Sequence, residues 1–235
     1  MSQPAHKPED RRQGAGWRAT ALWLLAAAVL LWLVLVLIGQ LLGDQWSRSA
    51  LVRWDVSVDR ELAANRSHPW NVVTTLFTLL ADTITVITIG LLACVAFRLR
   101  LKRWREPLFL AVTVIGEVTI FVSTTLLVDR DRPSVRQLDS APPTSSFPSG
   151  HTAASVALYG GLAVLAWRIS ATVLLRAVAI ALAVLAPVLV AMSRLYRGMH
   201  YPSDVAGGLL LACCWLAVTS TLLLGRRSQP YSRAL

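Results

Sequence analysis

Residues 20–42 read TALWLLAAAVLLWLVLVLIGQLL, a run without a single ionisable side chain. About 20 apolar residues suffice for one helical crossing of a bilayer, and this run reaches that length. Five further runs follow: Val72 to Phe97, Pro107 to Val128, Thr152 to Trp167, Ser170 to Met192 and Val205 to Leu224. In hydrocarbon every backbone N–H and C=O must be bonded within its own segment, so runs of this kind are helices. The sequence therefore predicts an all-α, polytopic membrane protein with six transmembrane helices. Composition agrees, since 55% of the 235 residues are hydrophobic and only 15% are charged. A mean hydropathy of +0.55 lies outside the range of ordinary soluble domains.

The first run follows Lys7, Arg11, Arg12 and Arg18, as the apolar core of a signal peptide would. It is too long for that role and lacks a small-residue cleavage site, so it reads as a retained anchor. Three parts result: a cytoplasmic tail over 1–19, a six-span membrane domain over 20–225, and a cytoplasmic tail over 226–235. With the N-terminus in the cytoplasm, Arg98, Arg100, Lys102, Arg103 and Arg105, then Arg168 and Arg176, then Arg226, Arg227 and Arg233 all fall on that side. Arginines on the other side (Arg48, Arg53, Arg60, Arg66) are mixed with Asp44, Asp55, Asp59 and Glu61. The formal charge of +10 is thus a topology signal with some attraction to anionic lipid, and nucleic acid is excluded as a partner. The segment 44–70 is too polar to span but carries Trp46, Trp54 and Trp70, which places it along the outer interface. Cys94, Cys213 and Cys214 lie inside apolar runs and read as small packing residues.

Six spans bring the loop between spans three and four and the loop between five and six to the same outer face. The first holds Asp129-Arg130-Asp131-Arg132-Pro133 and then Pro148-Ser149-Gly150-His151. The second follows Ser193-Arg194 and holds His200, with Asp204 four residues on. If the sixth helix begins near His200, the histidine and the carboxylate share one face. Asp204 can then take the proton of one ring nitrogen and leave the other nucleophilic. Alone, this is as well read as a surface His-Asp pair. Ser149 offers a hydroxyl and Gly150 close backbone approach at a helix start, which suits an anion. A turn with a helix cap would explain those residues but would leave His151 idle. Arg132 and Arg194 supply guanidinium forks for phosphate oxygens. For Arg130, Arg136 and Arg197, a cation snorkelling to the interface is an equal reading.

These three motifs resemble the type-2 phosphatidic-acid phosphatase superfamily of integral membrane lipid phosphatases. The resemblance rests on Arg132-Pro133, on Pro148 to His151, and on Ser193-Arg194 with His200 and Asp204. Their order and the six-span layout agree over roughly residues 20 to 225. It implies that His200 attacks phosphorus to give a phosphohistidine, that Asp204 orients it, and that His151 protonates the leaving group. Arg132, Ser149, Gly150 and Arg194 would hold the phosphoryl oxygens with no metal and no cofactor. It also implies a lipid phosphate substrate at the cell membrane, an undecaprenyl-type polyprenyl diphosphate before phosphatidylglycerol phosphate or phosphatidic acid. One position departs: the family's first motif opens with a lysine seven residues before the arginine, and here that place is Thr125. Arg130 and Arg136 are the candidates to replace the missing cation.

A phosphotransferase using the same phosphohistidine is a second enzymatic reading. A non-catalytic lipid-phosphate binding protein is a third, although a binder needs neither acid nor nucleophile. Two His and one Asp would also suit a zinc hydrolase, but the surrounding arginines would repel a dication. Asp82 and Glu117 are ionisable residues inside spans, positions that are functional candidates unless they end a helix or pair with another. Pro187 reads as a kink in the fifth span. The sequence leaves the oligomeric state open.

Overall fold

The computed structural model describes residues 8–43, 48–140, 143–169 and 172–225. Trp46, residues 1–7 of the N-terminal tail and the whole of the 226–235 tail lie outside the described residues. Among the described residues six helical segments are long and apolar enough to span a membrane: Gly16–Gly43, His68–Leu101, Arg105–Thr125, Gly150–Ile169, Val173–Tyr196 and Pro202–Leu224. The helices that build them are α1 (Pro8–Gly43), α3 (His68–Leu79), α4 (Thr83–Leu101) and α5 (Arg105–Thr125). They continue with α6 (Gly150–Ser155) and α7 (Gly161–Ile169), then α8 (Val173–Tyr196) and α9 (Pro202–Leu224). A further helix, α2 (Ala50–Ala64), lies between the first two spans.

Several span boundaries differ from those expected, and each has a local cause. The second span is broken, because Asp82 adopts an extended conformation and its carboxylate accepts the Ile84 N–H at 3.3 Å as the N-cap of α4. The fifth, as described, begins at Val173 after an extended Thr172, and the expected start, Ser170, lies outside the described residues. The sixth begins at Pro202, so His200 precedes the helix and the shared-face argument does not apply. Proline suits a first helical position, where its missing N–H costs nothing, and Asp204 caps that turn by accepting the Tyr201 N–H at 2.8 Å. The fourth span is interrupted by a π-helical turn over Val156–Gly160, between α6 and α7. Such turns carry one extra residue and change which face follows them.

Outward side chains such as Leu25, Ile84, Leu92 and Leu174 are exposed, as a lipid-facing surface requires. With lipid as apolar as leucine, close packing rather than water exclusion holds the spans together. The innermost span, α6 with the π turn and α7, packs on α5, α8 and α9. Helix α1 packs on α5 and α9, and α3 packs on α8. One apolar cluster joins Leu35, Ile120, Phe147, Leu211 and Trp215, which seats the loop carrying Phe147 on three helices. The polar segment carrying Trp54 and Trp70 is inverted relative to an ordinary surface helix. Both indoles are about half exposed, while Asp55 and Asp59 of α2 are buried against α8 and α9.

Two adjacent glycines set how close α9 comes to the 143–149 loop. A Cβ on Gly207 would lie 2.4 Å from the Phe147 ring, and one on Gly208 would lie 2.5 Å from the Ser149 carbonyl oxygen. That oxygen also accepts the Ala153 N–H at 3.1 Å, so it cannot simply move aside. Gly208→Ala should therefore lower Tm in detergent micelles, since overpacking costs about 1–3 kcal/mol, and should disturb the site next to it. Gly16→Ala, with nothing within 4 Å, is the neutral control. Equal melting temperatures for the two variants would rule out this contact as a constraint.

Candidate active site

Two loops build the site, 126–149 and 197–201. They are tied by the Leu138 N–H, which donates to the Arg197 carbonyl at 3.1 Å, and the first loop is also tied to the start of α9, where the Ser149 N–H donates to the Asp204 carbonyl at 2.9 Å. Arg132 adds a side-chain tie, its Nη1 donating to the Met199 carbonyl at 2.9 Å. The two loops are thus one structural unit despite the two spans between them.

His200 is 5% exposed, and its Nδ1 lies 2.8 Å from the Ser146 carbonyl oxygen. A carbonyl only accepts, so Nδ1 carries the proton and a neutral ring presents its lone pair on Nε2. The Asp204 carboxylate stands behind the same nitrogen at 3.8 Å. The tautomer is therefore set first by a backbone carbonyl and only second by the expected carboxylate. Burial lowers the His200 pKa from its ordinary value and Asp204 offsets part of that, so the net effect favours the neutral, nucleophilic ring.

A cavity of about 540 Å³ adjoins these groups and is lined by His151, His200, Arg132, Arg194 and Gly150. Arg194 is held by Thr78 at 2.9 Å and Asp139 at 2.8 Å, both through Nη1. The Nε atoms of Arg132 and Arg194, two arginines that line the cavity, are buried and have no hydrogen-bond partner. Away from the arginines the lining turns apolar. Its wall between α4 and α5 is made by Ile87, Ile115, Val118 and Val122, side chains that also face the bilayer.

Other expected site residues stand elsewhere. Ser149 is fully buried and its hydroxyl pairs with Thr152 Oγ1 at 3.0 Å, so it is not presented to the cavity. Thr125 ends α5 and donates to the Val122 carbonyl at 2.9 Å. Arg130 does not fill the missing cation's place, because its guanidinium is taken by Asp55 at 2.8 Å, by Ser203 at 2.8 Å and by Asp204. Arg136 is exposed, and its carbonyl accepts Arg66. Arg197 is committed to Asp139 and to the Asn71 and Leu138 carbonyls. Glu117 borders the apolar end of the cavity, fully buried, with no hydrogen-bond partner for either carboxylate oxygen.

Three contributors were not anticipated from the sequence: Asp139, Asp55 and the Ser146 carbonyl. Asp55 and Asp59 stand four apart on a predicted surface segment, a spacing that puts both on one helix face and was the available signal. For the Ser146 carbonyl no sequence signal exists.

A family model described as the PAP2 superfamily matches residues 106–228. The chain belongs to the PAP2 superfamily. Among its relatives is YbjG of Escherichia coli (strain K12), provisionally named an undecaprenyl-diphosphatase. The two are 34% identical over 151 residues, covering 61% of this chain and 69% of that one. The fold matches a crystal structure described as the first transmembrane PAP2 type phosphatidylglycerolphosphate phosphatase from Bacillus subtilis. That match has a TM-score of 0.71 at 20% identity and covers 86% of this chain and 98% of that one. This PAP2 protein is therefore a multi-pass membrane protein of the phosphatase type.

Asp139 is the counter-ion of two arginines at once. Burial alone would raise its pKa, but hydrogen bonds and charge from Arg197 and Arg194 more than reverse that, and the net value lies below the ordinary 3.8. A depressed carboxylate contributes stability above its unfolded pKa and loses it as pH falls through its folded pKa. Asp139→Asn should accordingly lower Tm at neutral pH, and the difference from the parent should shrink as pH drops below 3.8. A difference that stays constant down to strongly acid pH would show that the charge of Asp139 is not what matters.

Proposed function

We propose that this chain is a lipid phosphatase that releases phosphate from a lipid phosphate or diphosphate, with an undecaprenyl-type polyprenyl diphosphate as the leading substrate. One observation carries the reading: His151, in the first turn of α6, and His200, from the 197–201 loop, border a single cavity with guanidiniums at one end and an apolar wall at the other. A phosphate ester of a long hydrocarbon has the matching polarity. The provisional name of YbjG supports the polyprenyl choice.

In this mechanism Arg132 and Arg194 receive the phosphoryl oxygens, with backbone donors near Gly150. The Nε2 lone pair of His200 attacks phosphorus while the bond to the leaving oxygen breaks, and His151 transfers its proton to that oxygen. The imidazole of His200 becomes cationic as the N–P bond forms, and the Ser146 carbonyl and Asp204 accept that charge at Nδ1. Water, deprotonated by the now neutral His151, then attacks the phosphohistidine, releasing phosphate and restoring both rings. Positioned positive charge is what a phosphoryl transition state chiefly requires, so the arginines take the role a metal ion has elsewhere. The site faces outward, and both termini are cytoplasmic.

His200→Ala should abolish turnover, and His151→Ala should accumulate a phosphohistidine from a substrate whose leaving group needs no proton. Activity should persist in chelator and be inhibited by vanadate; loss in chelator with rescue by added zinc would instead make the protein a metallohydrolase. The pH profile should be bell-shaped, with an acid limb below 6.5 because burial lowers the His200 pKa. An acid limb above that value would contradict the assignment of the nucleophile.

Orientation is tested separately. In a background lacking the native cysteines, Ser134→Cys should react with an impermeant thiol reagent in intact cells, and Arg100→Cys should not. The reverse pattern would put the chemistry in the cytoplasm.

A further inference from the structure

Asp55 lies on α2, outside residues 106–228 that match the family model, yet it reaches the carboxylate behind His200 through one side chain. It is fully buried, and it accepts Arg130 Nη2 at 2.8 Å on Oδ2 and the Ser203 N–H at 3.0 Å on Oδ1. The Ser203 hydroxyl also donates to it. The other end of the Arg130 fork, Nη1, donates to Asp204 Oδ1. The Tyr201 ring covers one face of the guanidinium, its centroid 4.6 Å away. Arg130 is thus clamped between two buried carboxylates. Such a triad is costly to desolvate, and apolar side chains of similar volume would often hold α2 as well. What distinguishes it is that one of its carboxylates backs the candidate nucleophile.

We propose that Asp55 and Arg130 are positioning residues for the phosphoryl chemistry: Asp55 fixes Arg130, and Arg130 fixes Asp204 behind His200 without cancelling its negative charge. The proposal rests on the reading of His200 as nucleophile. Its logic is charge balance. Arg130 with Asp204 alone would form a neutral pair and offer little to a ring turning cationic. Asp55 restores one surplus negative charge, so the group remains anionic toward His200 while its geometry is locked. Asp59, also on α2, lies within the field of this group. Its carboxyl has no hydrogen-bond partner, and burial together with the charges of Asp204 and Asp55 pushes its pKa up to about 7 against the opposing pull of Arg130. The other charged or titratable groups facing His200 are Arg132 from the 126–149 loop, Arg194 from α8 and His151 from α6.

The test is the near-isosteric variant Asp55→Asn in the full-length protein, assayed in micelles on a lipid phosphate. Removing the surplus charge should lower kcat by about ten- to a hundred-fold, the size of loss found when residues that orient the ligands of a metal site are removed. KM should change less than about two-fold, because Arg132 and Arg194 are untouched. The acid limb of the pH profile should move to lower pH, since a less anionic neighbourhood disfavours protonation of His200. Arg130→Lys keeps the charge but loses the two-ended fork, so its kcat should fall with the acid limb unmoved. An Asp55→Asn enzyme with parental kcat and acid limb overturns the proposal, as does a fully active Arg130→Lys. If neither variant accumulates as folded protein, the triad is structural and the proposal also falls. Activity surviving in Asp204→Asn or His200→Ala would instead sink the phosphohistidine reading itself, a distinguishable outcome.

Discussion

Two polar loops at one end of a helix bundle satisfy each other's backbone, and the site exists because they do. Irregular chain is excluded from hydrocarbon, so the residues between spans must find their partners at the membrane surface. Here the Ser149 N–H finds the Asp204 carbonyl, and the Ser146 carbonyl finds the ring of His200. The second contact serves two ends, because the bond that satisfies a loop carbonyl also selects the tautomer of the histidine. The absence of side chains at Gly207 and Gly208 is what lets α9 come close enough for both.

Cations and anions around this unit are distributed with little redundancy. Arg197 and Asp139 anchor the loop, Arg130 is shared by two carboxylates, and Arg132 and Arg194, which line the cavity, each keep an unpaired Nε. Four buried or half-buried arginines in one small region would repel one another and any further cation. Asp55, Asp139 and Asp204 hold three of them in place while leaving the cavity positive, which is the field an anionic headgroup needs. Thr125, at the position where the family places a lysine, is turned into its own helix, so this pocket works with two cavity-facing guanidiniums.

The spans were legible because bilayer thickness fixes a length and hydrocarbon forbids charge, two constraints that act on single segments. The juxtaposition of His151 and His200 was legible because parity of the spans puts their loops on one side. What escaped depended on side chains choosing between partners. Arg130, Arg136 and Arg197 are equivalent in sequence, and only the positions of buried Asp55 and half-buried Asp139 decide that Arg130 and Arg197 are held by carboxylates. The break at Asp82 escaped for a similar reason: in sequence it is an acid inside an apolar run, whereas in three dimensions it is a helix cap. Ser149 reads from its motif as a phosphate ligand, whereas in three dimensions its hydroxyl pairs with that of Thr152, one turn later.

The cavity wall between α4 and α5 is made of side chains that also touch the bilayer, and this bears on how such a protein meets its substrate. Ile87, Ile115 and Val122 line the cavity and are exposed on the apolar outer face of the spans, the face a bilayer would cover. A molecule arriving through them diffuses in two dimensions and never leaves the leaflet. Its effective concentration is then a mole fraction of the surface. Diluting the membrane with inert lipid would slow the encounter even when the amount of substrate per volume is held constant.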